Sequence, residues 1–379
     1  MSTTAKSQSH QWSVISLFSG IGGLDLGAQA LGLRIVGAFD NDGSALALHS
    51  RVISSPATQL DLSQAAGGLV RQNSERYDRN KLIVVGGPPC TAFSHAGFWI
   101  EEKRNGLDSQ AQRLHDFSRI VLELQPRAFL LENVPGLAFR NHKHNLERFS
   151  KAMCTGGYST SFQILNAAHF GVPQARRRLF MVGVKSDRPV SFSDLLRPRG
   201  MDRPVRWAFD GLDDINNPKE QSESLRGKYA ALLPLIPPGG NYLFLTKARG
   251  CKTPLFEPRS KYWSFLYKLH PDQISLTIPA TRISNNGPFH WDNRRLRTRE
   301  LSRLQSFPDF AVRVEDANGQ RHIGNAVPPL VAAELFRVLA KILDIELDAQ
   351  RLKGLERLLA PSARFARLNS FFSFGKPAD

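Results

Sequence analysis

A β-branched apolar run that stops abruptly at two glycines and two prolines is the feature that most constrains this fold. Residues 81–85, Lys-Leu-Ile-Val-Val, predict a buried strand, and residues 86–90, Gly-Gly-Pro-Pro-Cys, end it in a stiff turn. Cys90 is therefore predicted to lie just beyond the carboxyl end of a strand, where ligands bind in open α/β sheets. A thiol on a rigid turn suits a nucleophile, although a free cysteine is more often a small buried hydrophobe.

A glycine turn follows the first predicted strand. Residues 14–18 predict that strand, and Gly20, Gly22 and Gly23 come directly after it and before a helix. The order of strand, glycine turn and helix opens nucleotide-binding α/β units. Asp25 stands where a dinucleotide fingerprint has its third glycine. The pattern therefore favours a ligand without a pyrophosphate.

Acidic residues follow the second predicted strand, residues 34–39. Asp40, Asn41 and Asp42 come next in the chain. An acidic residue at this place grips a ribose diol in nucleotide-binding folds. Either aspartate could instead cap the next helix, and we favour Asp42 as the cap with Asp40 facing the ligand. Asp61, taken by itself, is more typical of a cap or a loop.

Polar residues also mark two later strand ends. Residues 127–131 predict a buried strand that leads to Glu132. An apolar setting would raise the pKa of this carboxyl and suit it to proton donation, but a solvated glutamate capping a turn fits equally well. Residues 176–178 are three arginines between predicted strands at 162–166 and 179–184. They could contact phosphates or a base edge, or form a solvated hairpin tip.

Composition bounds the class of partner. The chain of 379 residues has a formal net charge of +16, which predicts a polyanionic partner, first of all nucleic acid. Its three cysteines form no C-x-x-C pair, so we expect no zinc site and no disulfide scaffold. His142 and His144 have basic neighbours and predict a solvated loop, and no metal site is expected. No run approaches the roughly 18 apolar residues of a membrane span.

Between residues 186 and 285 the α/β alternation is lost. Prolines recur there, and basic residues mix with aromatic ones, as at Arg259, Tyr262, Trp263 and Lys268. Such a mixture is typical of a nucleic-acid surface, although an ordinary insertion domain would also fit. Further on, Thr298 predicts the cap of a helix.

Taken in order, these segments resemble the cytosine-5 DNA methyltransferase family over about residues 14–345. The match rests on six motifs in the family's order. They are Phe18-x-Gly20-x-Gly22, residues 86–90, Glu-Asn-Val at 132–134, Gln174-x-Arg176-x-Arg178, residues 301–308 and Gly-Asn-Ala-Val-Pro-Pro at 324–329.

The resemblance implies a fold and a division into domains. The fold class is α/β, a doubly wound, mostly parallel Rossmann-like sheet with a smaller irregular target-recognition domain. The expected ranges are a disordered N-terminus at 1–11, a catalytic cofactor-binding domain at 12–187 plus 318–345, the target-recognition domain at 188–317 and a basic extension at 346–379.

The resemblance also implies S-adenosyl-L-methionine as methyl donor. The expected cofactor-binding residues are Phe18, Gly20, Gly22, Gly23, Asp40, Asn41, Asp61, Pro89 and Asn325. Asp40 would take the ribose hydroxyls, where the family more often has glutamate, and Asp61 would meet the adenine amino group.

The family's chemistry gives the polar residues roles. Cys90 would add to cytosine C6, Glu132 would meet N3, Arg178 would hold O2 and Arg176 would position the loop or a phosphate. The base would have to be flipped out of the duplex, with residues 91–112 as a lid. Two departures stand in that segment: Thr91 where the family most often has glutamine, and residues 108–111 where it has Asp-x-Arg-Gly.

The leading hypothesis is a bacterial, cytoplasmic, monomeric DNA (cytosine-5-)methyltransferase that acts on double-stranded DNA. It would protect that DNA from a cognate restriction endonuclease without forming a stable complex with it. Two other enzymes stay open, a tRNA cytosine-5 methyltransferase and, from another class, a nicotinamide-dependent oxidoreductase. A regulatory DNA-binding relative without activity is a further alternative.

Overall fold

The computed structural model describes residues 11–63, 67–89, 112–139, 142–198, 202–212, 228–260, 262–281, 283–309, 311–313, 316 and 318–347. Cys90, residues 91–111 of the predicted lid, the N-terminus before residue 11 and the basic extension from residue 348 lie outside the described residues.

Seven strands form one mostly parallel sheet. The described residues contain these seven strands and two more that lie outside the sheet. In chain order all of them are β1 (Ser13–Leu17), β2 (Arg34–Asp40), β3 (Ala57–Gln59), β4 (Leu82–Gly86), β5 (Ala128–Asn133), β6 (Tyr158–Asn166), β7 (Gln174–Ala175), β8 (Arg177–Lys185) and β9 (Ser275–Leu276). The order across the sheet is β3-β2-β1-β4-β5-β8-β6, and β7 and β9 form a separate parallel pair. The first five strands pair in parallel, whereas β8 runs antiparallel to β5 and β6. The predicted doubly wound, mostly parallel α/β sheet is confirmed, and the smaller target-recognition domain stays a prediction.

Every residue of β1 and β4 is buried. Both faces of the sheet are therefore covered at these strands, which explains why β4 is a continuous apolar run and why even Ser13 and Ser16 of β1 are buried. The helices are α1 (Gly23–Gln29), α2 (Gly43–Val52), α3 (Gly67–Gln72), α4 (Gln112–Leu124), α5 (Lys143–Thr155), α6 (Val205–Phe209), α7 (Thr298–Leu304), α8 (Gly319–Asn325) and α9 (Pro329–Ile342).

Aromatic rings fill the core on the side of α4 and α5. Phe129 of β5 meets Phe117 of α4 and Phe149 of α5, with ring centroids 6.2 and 5.8 Å apart in edge-to-face geometry. Such pairs stabilise a core by about 0.5–1.5 kcal/mol beyond the area they bury. Within the described part of the chain, one helical stretch, Gly319–Ile342, is by length and composition apolar enough to cross a membrane. Of its 18-residue apolar segment, 78% is buried inside the protein.

Two compact units make up the chain. The first comprises Met1–Phe170, Arg176–Gly200 and Ala326–Ala349, and the second comprises Gly171–Ala175, Met201–Asn325 and Gln350–Asp379. The described part of the second unit contains short α-helices and 3₁₀ segments, and it has an apolar cluster of Leu233, Ile236, Tyr242, Leu245, Leu266 and Phe289. The domain boundaries drawn from the sequence stay a prediction.

Three local interpretations of the sequence are wrong. His142 is buried directly before α5 and is not part of a solvated loop. Lys268 is 3% exposed, because its ammonium donates hydrogen bonds to the Ile236 carbonyl at 2.8 Å and to Asn293 Oδ1 at 2.7 Å. It therefore belongs to the interior and not to a nucleic-acid surface.

The third concerns the start of α7. The residue at the cap position is Arg297, and Thr298 is already helical. The backbone N–H of Arg297 donates to Glu300 Oε2 at 2.7 Å, which satisfies a donor at the helix end without any threonine hydroxyl.

The packing of α1 on α9 gives a stability prediction. A Cβ at Gly27 would lie 2.5 Å from Ala332 Cβ and 2.6 Å from the Ala333 nitrogen. Gly27→Ala is expected to lower the free energy of unfolding by about 1–3 kcal/mol, because the helices must move apart. Thermal unfolding followed by circular dichroism measures the effect.

Gly68→Ala in α3 is the matched control, since a Cβ there meets nothing within 4 Å. It is expected to be neutral or stabilising by up to about 1 kcal/mol. Equal melting temperatures for the two variants would contradict the packing argument.

Candidate active site

Asp40 joins the glycine turn after β1 to the end of β2. Its Oδ2 accepts a hydrogen bond from the Gly20 nitrogen at 2.8 Å, and its Oδ1 accepts one from the Asp42 nitrogen at 2.9 Å. The Ser19 nitrogen also donates to the Phe39 carbonyl at 3.0 Å. Burial raises the pKa of the Asp40 carboxyl, while the two backbone hydrogen bonds oppose that rise. These hydrogen bonds thus join the glycine turn and the end of β2 into one connected loop structure.

The glycine turn has the backbone of a binding loop. Phe18, Gly20 and Gly22 have φ angles of 52°, 54° and 82°. A phenylalanine in this left-handed region costs about 1–3 kcal/mol and is held there only by its surroundings. A Cβ at Gly20 would meet no heavy atom within 4 Å, so the turn leaves open space at that point. Gly23 begins α1.

Asp42 and Asn41 have local backbone roles. Asp42 caps α2, with Oδ1 accepting from the Ser44 nitrogen at 3.0 Å and from the Ala45 nitrogen at 3.3 Å. The interpretation of Asp42 as the cap is confirmed. Asn41 is exposed, and its carbonyl accepts a hydrogen bond from Gln59. The predicted contact of Asn41 with the cofactor stays a prediction.

Asp61 carries an exposed carboxylate beyond β3. It is 53% exposed, and its Oδ1 accepts hydrogen bonds from the backbone and hydroxyl of Ser63 at 2.9 and 2.8 Å. These hydrogen bonds lower the pKa of Asp61. A carboxylate that stays ionised and accessible is a suitable acceptor for an amino group.

Glu132 is a buried carboxyl at the end of β5. It is 8% exposed, and its Oε1 lies 3.2 Å from Arg178 Nε. A Cβ at Gly87 would lie 3.1 Å from Glu132 Oε2, so the turn that leads to Cys90 packs against this carboxyl. Burial raises the pKa of Glu132, and the charges of Arg178 and Arg176 work against that rise. A solvated turn cap is excluded.

The three arginines divide between the interior and the solvent. Arg176 is 1% exposed and the side chain of Arg178 is 17% exposed, whereas Arg177 is exposed. Burial lowers the pKa of both inner guanidinium groups, and the charge of Glu132 opposes this. Arginine nevertheless keeps its charge in proteins. The solvated hairpin tip therefore describes Arg177 only, and two cations stand with Glu132.

The residues before Cys90 are held by close packing. A Cβ at Gly86 would lie 2.6 Å from the Leu17 carbonyl, so only glycine fits between β4 and β1. Asn133 donates from Nδ2 to the Pro88 carbonyl at 3.5 Å, a contact that the sequence does not predict. Pro89 is exposed and is the last described residue before the gap. Its role at the cofactor, like that of Cys90 in catalysis, stays a prediction.

Asn325 ends α8 and is exposed. It falls in the second compact unit, and its predicted support of the cofactor stays a prediction. A pair that sequence reasoning missed entirely is Asp25 with His49, which meet in the interior below the glycine turn. Their separation of 24 residues gives no local signal for this contact.

A doubly wound sheet with a glycine turn, an acidic tip on its second strand and a buried carboxyl–guanidinium pair defines an α/β enzyme that works at the carboxyl edge of its strands. Comparison with known proteins supplies the family. The C-5 cytosine-specific DNA methylase family matches residues 12–341. The chain belongs to this family, which confirms the predicted family and the enzyme class, DNA (cytosine-5-)methyltransferase.

Relatives align over most of their length. The chain is 36% identical to the type II methyltransferase M.SacI of Streptomyces achromogenes, over 88% of this chain and 93% of that protein. It is 32% identical to M.XorII of Xanthomonas oryzae, over 87% and 84%. A crystal structure described as a DNA modification methyltransferase of an E. coli prophage superposes with a TM-score of 0.61 at 26% identity, covering 88% of this chain and all of that one. The oxidoreductase alternative finds no support.

The raised pKa of Glu132 predicts a pH-dependent stability. A group whose pKa lies above its ordinary value of 4.5 in the folded protein stabilises the fold when protonated, and this contribution is lost as pH rises through the folded pKa. Glu132→Gln cannot ionise. The unfolding free energy of the variant minus that of the wild type is expected to increase from pH 4.5 upwards, by about 1.4 kcal/mol per unit of raised pKa, and then to level off.

Urea unfolding at several pH values between 4.5 and 8 measures this difference. Glu147→Gln is the matched control, since Glu147 is an exposed residue of α5. Its difference is expected to stay within about 0.5 kcal/mol. A Glu132→Gln difference that does not change with pH would count against a buried carboxyl with a raised pKa.

Proposed function

We propose that this protein transfers a methyl group from S-adenosyl-L-methionine to C5 of a flipped cytosine within a specific sequence of double-stranded DNA. The observation that carries the proposal is the buried Glu132 carboxyl, which contacts Arg178 on one side and the turn leading to Cys90 on the other. The proposed acid Glu132, the cation Arg178 and the turn that leads to the proposed nucleophile are thus close together in the first unit.

The chemistry requires these groups because cytosine C5 is a poor nucleophile. Addition of the Cys90 thiolate to C6 moves electrons into the ring, so negative charge develops at N3 and O2. A Glu132 carboxyl with a raised pKa can donate a proton to N3, and the guanidinium of Arg178 can hold O2. Arg176 adds a second buried positive charge beside them. After C5 has accepted the methyl group, N3 returns its proton to the Glu132 carboxylate, a water molecule takes the C5 proton, and the C5–C6 double bond re-forms as the thiolate leaves.

The residues at the glycine turn fit an adenosine-containing methyl donor. Open space at Gly20 lets a ligand approach the backbone, and the Asp40 carboxyl beside it suits a ribose diol. The exposed carboxylate of Asp61 suits an adenine amino group. When bound, S-adenosyl-L-methionine supplies an electrophilic methyl group on sulfonium sulfur. Phe18, Gly22, Gly23, Asn41, Pro89 and Asn325 complete the proposed set.

DNA binding is supported by the second unit and by charge. Trp263 is 54% exposed and Tyr262 is exposed beside it, with the Arg259 guanidinium 5.9 Å from the Tyr262 ring centre. Hydrogen bonds hold the backbone here. The Tyr242 hydroxyl donates to the Arg259 carbonyl at 3.0 Å and accepts from the Arg259 nitrogen at 2.9 Å, and Asn241 Nδ2 donates to the Trp263 carbonyl at 2.8 Å. Exposed aromatic faces on a fixed backbone, in a chain of net charge +16, suit bases and phosphates.

The biological role proposed is protection against a cognate restriction endonuclease in the bacterial cytoplasm. M.SacI and M.XorII are both named as type II methyltransferases. We propose that the protein acts as a monomer, without a stable complex with the nuclease. Methyl transfer from labelled S-adenosyl-L-methionine to duplex DNA but not to tRNA separates this function from the tRNA alternative.

Cys90→Ser tests the nucleophile. The hydroxyl is far less acidic than a thiol, so methyl transfer to DNA is expected to fall by at least about a thousandfold, a loss typical of removing a covalent nucleophile. Binding of DNA and S-adenosyl-L-methionine is expected to stay near the wild-type values. Labelled methyl incorporation and a gel assay for the covalent adduct with 5-fluorocytosine DNA provide the measurements.

Cys154→Ser is the control, because Cys154 is a free, exposed cysteine. It is expected to keep full activity and to form the adduct. Full methylation by Cys90→Ser would refute the covalent mechanism. Bisulfite sequencing of DNA from cells that express the wild type identifies the modified cytosine and its sequence context.

Trp263→Ala tests the DNA surface of the second unit. Loss of one stacking platform is expected to weaken DNA binding about tenfold, since base–aromatic stacking contributes about 1–3 kcal/mol per base. Fluorescence anisotropy with a cognate duplex measures it, and calorimetry with S-adenosyl-L-methionine should show no change. Phe162→Ala removes an exposed aromatic ring from β6 of the first unit and serves as control. Equal affinities of the two variants would remove Trp263 from the interface.

A further inference from the structure

An aspartate and a histidine form a fully buried pair beneath the glycine turn. His49 Nε2 lies 2.7 Å from Asp25 Oδ2, and both side chains are 0% exposed. Asp25 is in the first turn of α1 and His49 is in the last turn of α2. Burying a polar pair carries a large desolvation cost, and apolar side chains of similar volume would fill the same place without it. The pair therefore calls for an explanation beyond packing.

The imidazole supports the turn from below. A Cβ at Gly22 would lie 2.8 Å from His49 Cδ2 and 3.3 Å from His49 Nε2, so the ring fills the space directly under this glycine. Gly22 has a φ of 82° and cannot relax towards an ordinary conformation without moving the turn. On the other side, at Gly20, the space is open. The histidine thus closes one face of the turn and leaves the other face free for a ligand.

The same two helices are also connected at the ligand side. Asp40, which precedes the cap of α2, accepts the hydrogen bond of the Gly20 nitrogen. The Asp25–His49 contact joins α1 to α2 a second time, from inside the protein. With both connections made, the turn cannot shift relative to Asp40. The distance between the two proposed anchors of the cofactor is thereby fixed before the cofactor arrives.

We infer that Asp25 and His49 are positioning residues for S-adenosyl-L-methionine, which act through the Gly20–Gly22 turn without touching the cofactor. This inference rests on the proposed function. Preorganisation of this kind raises affinity because less order has to be imposed on binding. Its loss weakens cofactor binding more than it slows methyl transfer at saturating cofactor.

His49→Leu and His49→Gln are the decisive variants, because both side chains are of similar size and only glutamine can donate a hydrogen bond to Asp25. His49→Leu is expected to raise the Kd and the KM for S-adenosyl-L-methionine about tenfold, as loss of a buried hydrogen bond implies. His49→Gln is expected to stay within about threefold of the wild type. The kcat at saturating cofactor should change less than twofold. Isothermal titration calorimetry gives Kd, and methyl incorporation gives KM and kcat.

Asp25→Leu/His49→Leu keeps the test valid if the single leucine variant does not fold, since neither polar partner of the pair then remains buried without the other. It is expected to fold and still to bind the cofactor about tenfold more weakly. Tyr158→Phe is the structural control, because it deletes a buried hydroxyl that donates to the Pro126 carbonyl at 2.8 Å in the same unit. Its Kd is expected to be unchanged.

The outcomes separate the two proposals. Wild-type protein that fails to bind S-adenosyl-L-methionine would overturn the proposed function. Wild-type binding with an unchanged Kd in the leucine variants would overturn only the positioning role. A Kd raised equally in His49→Leu, His49→Gln and Tyr158→Phe, in proportion to lost thermal stability, would also overturn it, because the effect would then be structural.

Discussion

Parallel strand pairing is the constraint on which the rest of this structure depends. Leu17 of β1 is the register partner of both Phe39 in β2 and Gly86 in β4, and Gly86 is in turn the partner of Leu131 in β5. Parallel strands advance in the same direction, so the next residue on each lies in the same row at the carboxyl edge. That row consists of Phe18, Asp40, Gly87 and Glu132. The glycine turn after β1 and the Glu132 carboxyl on β5 therefore lie at the same edge of the sheet, with the end of β4 between them.

Within the row, burial and charge act against each other at Glu132. Desolvation favours the neutral carboxyl, whereas Arg178 and Arg176 favour the carboxylate, and burial is the larger effect. The balance matters chemically. Burial moves the pKa of the carboxyl towards that of a group able to give a proton, and the arginines limit this rise. The opposing influences leave a buried carboxyl with a raised pKa beside two cations, which is the combination that the proposed protonation of N3 requires.

How much of this was predictable follows from how local each signal is. The strands that lead to Asp40, Gly86 and Glu132 are predictable from the sequence, although each extends slightly further than predicted, because apolar runs and glycine or proline turns are local patterns. The burial of Arg176 and Arg178 is not predictable from the sequence, since their exposure depends on what the rest of the chain packs against them. Lys268 was wrongly placed at the surface for the same reason.

The pair of Asp25 and His49 is a contact that no local sequence pattern predicts. In the sequence Asp25 was only a departure from a dinucleotide fingerprint, and His49 was one residue of an ordinary helix. The two side chains meet only because the neighbouring strands β1 and β2 bring α1 and α2 side by side.

The glycine turn after β1 shows the same difference between local and long-range signals at two single residues. Gly20 needs its left-handed backbone and has empty space beside it, whereas Gly22 needs its left-handed backbone and also has His49 directly below. A side chain at Gly20 would therefore compete with a ligand, and a side chain at Gly22 would compete with the fold. These two glycines, two positions apart, thus leave one face of the turn open and fix the other, which is how a short turn can be both open and rigid.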